Sequence, residues 1–237
     1  MTFPLITAHT GNMGTEDNTL ASVLAGLAHG ADIVEDDIRT DRDGTLVLAH
    51  DEEVRLPGGR IGRLADLTLE ELAERPTLLN EAIGPVLEAG KTMNLDVKTD
   101  ACLEPIAEWA SKLGLYDRVF LTGCGYARAA LANRIDPRLR KLLNVDADSF
   151  SRLPFAEATR EACAAALNTG CYGLNVPYPL AMPSLLEYAA DRGLPVYVWT
   201  IDDRQQLERF ADLEVRSITT RDVAMLADIK RNRSRER

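Results

Sequence analysis

Two periodicities alternate along this chain. Short runs in which apolar residues dominate, or recur at every second position, mark buried strands; longer stretches in which Ala and Leu recur every third or fourth position mark helices packed on one face. The first pattern predicts strands over residues 5–9 (LITAH), 32–39 (DIVEDDIR), 45–51 (TLVLAHD), 92–98, 118–123, 140–145, 172–176, 195–201 and 216–220. The second predicts helices over 18–30, 77–90, 103–114, 126–135, 154–170, 182–193 and 204–213. Several helical stretches end on a glycine (Gly30, Gly114, Gly170, Gly193), the residue that best closes a helix in the left-handed region.

One junction breaks the alternation. The runs 32–39 and 45–51 are joined by Thr40–Gly44, too short for a crossover helix, and its Asp43-Gly44 is a turn signal. Setting that extra strand aside leaves eight strands, all but the last followed by a predicted helix. This predicts an α/β fold, a closed (β/α)8 TIM barrel with an extra β-hairpin strand after strand 2, rather than an open doubly wound sheet. No linker or composition shift divides the chain. A single domain is expected over 1–228, with the basic IKRNRSRER of 229–237 as a flexible, solvated tail.

Composition narrows the function classes. The 237 residues are 46% hydrophobic, enough to bury a sizeable core, and carry a formal net charge of -10. That charge argues against nucleic acid or an anionic membrane surface as partner, but not against a small anion in a pocket with its own cation. The opening MTFPLITAHT lacks a basic n-region, and no apolar run approaches the length of a membrane span, so a cytoplasmic protein is expected. The four cysteines (Cys102, Cys124, Cys163, Cys171) have no CxxC spacing and read as reduced, structural thiols. A homo-oligomer is compatible with all of this.

The candidate chemistry lies in the hairpin and in the strand 92–98. Residues two apart in a strand share a face, so Glu35 and Asp37 point the same way, with Val34, Asp36 and Ile38 opposite. In 92–98 the apolar Met93, Leu95 and Val97 face outward, which sends Asn94, Asp96 and Lys98 inward. Carboxylates about 7 Å apart at an effective dielectric near 20 repel by roughly 2–3 kcal/mol per pair. A basic side chain, a proton or a cation must offset this. Pairing with Arg39 and Lys98 is one solution; a hard, oxygen-seeking ion such as Mg²⁺, Ca²⁺ or Mn²⁺ is the other. Of three histidines, His9 and His50 end predicted strands beside this cluster and suit acid–base work, whereas His29 sits at a helix end and reads as structural.

The segments AHTGNMGTEDNTL, GADIVEDDIRTDRDGTLVLAHDE, LADLTLEEL, MNLDVKT and VYVWTID occur in that order. Together they resemble the glycerophosphodiester phosphodiesterase family, metal-dependent (β/α)8 enzymes. The resemblance covers most of the chain and is most specific from Gly30 to Asp51. It implies hydrolysis of a small phosphodiester to an alcohol and a phosphomonoester. It also implies one divalent cation on Glu35, Asp37 and Asp96, catalytic roles for His9 and His50, and contacts from Lys98 and Trp199 to the substrate. Trp199 reads equally well as a core aromatic. Asp17 stands where the family has the Glu of an ENT motif, and reads also as a helix cap.

The departures are local. Thr10 replaces the arginine of the family's HRG motif, removing a bidentate phosphate ligand, so Thr10→Arg would be expected to raise activity. Asp96 replaces a glutamate, as in the sphingomyelinase D-like branch; a lyase that releases a cyclic phosphate is therefore the alternative reaction. A non-catalytic phosphoester-binding barrel is the alternative that Thr10 prompts. Asp36 replaces an apolar residue on the outward face without a physical account in the sequence, and SITTRD replaces the family's usual TD-x-P ending.

Overall fold

The computed structural model describes residues 3–235. Eleven strands appear among them: β1 Leu5–Ala8, β2 Ile33–Thr40, β3 Leu46–Leu48, β4 Glu53–Arg55, β5 Ile61–Arg63, β6 Thr92–Val97, β7 Val119–Thr122, β8 Leu142–Asn144, β9 Gly173–Pro177, β10 Val196–Trp199 and β11 Ser217–Thr220. The helices are α1 Leu20–Ala28, α2 Leu79–Glu88, α3 Leu103–Leu113, α4 Tyr126–Ile135, α5 Ala147–Arg152, α6 Phe155–Asn168, α7 Pro183–Ala190, α8 Arg204–Ala211 and α9 Val223–Arg235.

Eight of the strands run parallel in the order β7-β6-β2-β1-β11-β10-β9-β8. A bridge between Leu121 and Lys141, with Leu121 N–H donating to the Arg140 carbonyl, brings the two ends of that order together into a nearly closed TIM barrel. All nine predicted strands form. β3 pairs antiparallel with β2 (Ile38 opposite Leu48), the expected extra hairpin strand outside the barrel.

Four elements, β4, β5, α5 and α9, were not legible. Residues 53–63 fold back as the small antiparallel pair β4–β5 around Pro57-Gly58-Gly59, a turn signal between runs too short to read as strands. Residues 229–235, expected as a flexible tail, continue α9, and Val223, Leu226 and Ile229 bury its inner face. Arg233 ties it down through the Glu208 carbonyl and the Asp212 carboxylate. Residues 236–237 of the expected tail lie outside the described residues.

Strand alternation sorts the side chains into two regions. Outward residues such as Ile6, Val34, Ile38, Met93, Leu95 and Val97 join the helices in one large core. Inward residues at the start of the strands (Ile33, Phe120, Leu142, Tyr197) form a separate plug, with Phe120, Tyr172 and Tyr197 packed edge-on or tilted at centroid distances of 5.8–6.0 Å. The plug fills the bottom of the barrel, so inward polar residues further along each strand collect at the C-terminal mouth, where barrel enzymes place their chemistry.

Candidate active site

The mouth of the barrel holds a cavity of about 420 Å³ lined by His9, Glu35, Asp37, His50, Asp96, Lys98 and Trp199, so the structure brings together every residue that the sequence analysis placed in the site. The β2–β6 register explains the acid cluster: Glu35 lies beside Asn94 and Asp37 beside Asp96, so carboxylates from two strands meet at one level. One oxygen from each of Glu35, Asp37 and Asp96 falls within 4.8 Å of the others.

This cluster is electrostatically unfinished. Glu35 is buried, and burial, followed by the charges of Asp96, Asp37 and Asp36, pushes its carboxyl well above the usual carboxylate range. Among the described residues Lys98 is the counter-charge bonded to the cluster: its Nζ reaches Asp37 Oδ1 at 2.7 Å and also bonds Asp96. Burial alone would lower the Lys98 amine, but Asp96 and Asp37 outweigh it and hold the ammonium above its ordinary value. One ammonium against three carboxylates leaves a deficit of positive charge. Three buried or half-buried carboxylates with no sulfur or imidazole donor among them fit a hard divalent cation. Arg39, the other candidate counter-ion, instead bonds the His50 carbonyl and Glu52 and so fastens the end of β2 to the segment after β3.

Three supporting residues emerge only in three dimensions. Asn18, in a left-handed backbone conformation, donates from its amide to Asp37 Oδ2 (2.9 Å) and accepts from the Asp37 N–H (3.0 Å), holding that residue by both its carboxylate and its backbone. Arg128 donates to the carbonyls of Val97, Lys98 and Gly123 and pins the end of β6 to the loop after β7. Gly123 has φ +69°, and a Cβ there would sit 2.5 Å from the Val97 carbonyl and 2.9 Å from Asp96 Oδ1, so only glycine lets this loop approach the cluster. Arg221, at the end of β11, also lines the cavity.

Asp36, unexplained in the sequence, has a partner. Its carboxylate is fully buried on the outer face and accepts from the Thr10 hydroxyl at 2.7 Å, while Thr10 Oγ1 accepts from the Asn18 N–H at 2.6 Å. Burial pushes the Asp36 carboxyl up to about 8 despite the Thr10 hydrogen bond. The two departures at positions 10 and 36 are therefore one interaction, which also steadies the turn carrying Asn18. Thr10→Val should lower stability by about 1–3 kcal/mol, because it strips one donor and one acceptor from buried partners; the shift in denaturation midpoint measures this. Thr10→Arg, attractive from the motif alone, should be destabilising for the same reason.

Both candidate histidines line the cavity and bond the protein through the same ring nitrogen. His9 Nδ1 lies 2.8 Å from the Thr10 carbonyl, which can only accept, so Nδ1 carries the proton and Nε2 is the exchanging nitrogen. His50 Nδ1 lies 2.8 Å from Asp51 Oδ1, with the same consequence. Gly11, at φ +70°, makes the turn after His9; a Cβ there would collide with Asp17 Oδ1 at 1.7 Å.

A parallel eight-stranded barrel with three carboxylates that could hold a metal ion, and two histidines lining the same C-terminal mouth, defines the class: a TIM-barrel enzyme. The model of the glycerophosphoryl diester phosphodiesterase family matches residues 7–225, and the chain belongs to that family of metal-dependent phosphoric diester hydrolases. A glycerophosphodiester phosphodiesterase of Caldanaerobacter subterraneus is 24% identical, with 96% of this chain and 98% of the relative covered. In fold, the chain is similar to a glycerophosphoryl diester phosphodiesterase structure from Silicibacter pomeroyi (TM-score 0.82, 16% identity, 98% and 95% covered). It is similar also to an Oleispira antarctica phosphodiesterase solved with the product sn-glycerol-3-phosphate (TM-score 0.75, 21% identity, 96% of each chain covered). No helix among the described residues is long and apolar enough to cross a membrane.

Proposed function

We propose that this chain hydrolyses a small glycerophosphodiester to an alcohol and a phosphomonoester, with Glu35, Asp37 and Asp96 holding one divalent cation, Mg²⁺, Ca²⁺ or Mn²⁺. The observation that carries the reading is the meeting of those three carboxylates with His9 and His50 around one cavity of about 420 Å³. A cavity of that size suits a compact polar ester. When bound, the cation supplies charge stabilisation for the non-bridging phosphate oxygens.

The remaining steps belong to the chain's own side chains. One histidine takes a proton at Nε2 from the attacker, either water or a substrate hydroxyl whose cyclic phosphate water then opens, and the other gives one from Nε2 to the leaving alkoxide. Lys98, anchored on Asp37 and Asp96, directs positive charge to the phosphate side of the cavity. Asn94 and Thr122, bonded to each other at 2.9 Å, line the floor beside Asp96 and offer polar groups for the glycerol hydroxyls. Trp199, more than a third exposed at the rim, is a wall for the substrate rather than a core aromatic.

Phosphorus NMR of a glycerophosphodiester incubated with the protein and Mg²⁺, Mn²⁺ or Ca²⁺ in turn tests the proposal. A phosphomonoester signal that grows with divalent ion and stops with chelator is expected. A cyclic phosphate persisting as the final product would establish the lyase instead, and no turnover with any ion would leave a binding barrel.

A further inference from the structure

With a divalent cation in place, three carboxylates against that ion and Lys98 leave no net charge at the cluster. The phosphodiester brings its own negative charge, and more accumulates on its oxygens as the ester bond breaks. A further fixed cation facing the cavity is needed, and Thr10 cannot supply one.

Arg221 lines the same cavity from the opposite end of the sequence. The β1–β11 register pairs Ala8 with Thr220, so the next residues, His9 and Arg221, lie side by side at the strand ends. The Arg221 backbone is fixed: its N–H donates to Asp202 Oδ1 at 2.7 Å and its carbonyl accepts from Met13 N–H at 2.9 Å. Its guanidinium extends over the His9–Gly11 turn, where an atom in the Cβ position of Gly11 would lie 3.2 Å from Nη1. Nη1 reaches Asp17 Oδ1 at 3.3 Å, and this is the one side-chain hydrogen bond of the guanidinium among the described residues. Both partners are about half exposed, and such pairs contribute little to stability.

We propose that Arg221 is the phosphate-binding guanidinium of this chain, held in reserve by Asp17 and placed beside His9 to clamp the diester's non-bridging oxygens. The assignment rests on the diesterase reading above. It gives the two departures at Thr10 and in SITTRD a common meaning: one turn surrenders a guanidinium to hold Asp36, and the neighbouring strand end provides another.

The test is calorimetric titration of inorganic phosphate, with Mg²⁺ present, into the wild type and into Arg221→Ala, Arg221→Lys and Asp17→Asn. Losing a charge-assisted, two-pronged contact should weaken phosphate binding by about ten- to a hundredfold in Arg221→Ala. Arg221→Lys should fall between, since it keeps the charge and loses the fork. Asp17→Asn should bind as tightly as wild type or more tightly, because it frees the guanidinium. The proposal is overturned if the wild type binds phosphate no more tightly than Arg221→Ala. It is equally overturned if Asp17→Asn weakens binding as much as Arg221→Ala does, which would make the pair purely structural. Binding is read without turnover, so this result stands apart from whether any diester is hydrolysed.

Discussion

His50→Ala and His9→Ala should each lower turnover by about 10²- to 10⁴-fold while leaving divalent-ion affinity nearly unchanged, as expected for the loss of one proton-transfer group. Neither imidazole belongs to the carboxylate cluster: His50 bonds Asp51, and His9 bonds the Thr10 carbonyl, its Nδ1 standing 3.9 Å from Glu35. A substrate with a p-nitrophenolate leaving group separates the two roles. That leaving group departs without a proton, so the variant lacking the general acid should recover most of its rate, and the variant lacking the base should not. Steady-state kinetics on the two ester types gives the assignment. Near-normal rates for either alanine variant on an alkyl ester would remove that histidine from the mechanism.

Glu35→Gln should have two opposite effects. Turnover should fall by about 10³-fold or more, because a ligand to the charge-stabilising cation is gone. The ion-free protein, however, should become more stable near neutral pH. Burial and the neighbouring acids raise the folded pKa of Glu35 above its unfolded value, so between those values the folded state binds the extra proton. Stability from this group is complete below the unfolded pKa and is lost as pH rises through the folded one. Glutamine removes that loss. Thermal melts should therefore show wild type gaining stability on adding Mg²⁺ or Mn²⁺ at neutral pH, and Glu35→Gln starting higher and gaining little. A variant that keeps the full ion-induced gain would place the cation elsewhere.

Much of this architecture is written in short-range patterns. The period-two runs identified all nine strands they were applied to, because a strand buried on both sides must be almost wholly apolar and its polar exceptions stand out. Glu35, Asp37 and Asp96 are such exceptions, and their parity within β2 and β6 was enough to aim them inward, with Lys98 following the same alternation just past β6. The pair β4–β5 escaped because three-residue strands carry too little period to read. The helix α9 escaped because charged residues interleave its buried positions Val223, Leu226 and Ile229.

Supporting contacts were a different matter. Asn18 clasping Asp37, Arg128 tying β6 to the next loop, and Thr10 holding Asp36 each join residues far apart in the chain through hydrogen bonds that no local period encodes. The same holds for Arg221, which meets the His9 turn only because β1 and β11 are neighbours. The alternation of apolar and polar residues thus determined the strands, their facing and the chemical types available at the mouth, since burial acts on each position separately. Which side chains touch there, and which charges are left without partners, depended on closing the barrel, because only closure brings the first strand beside the last.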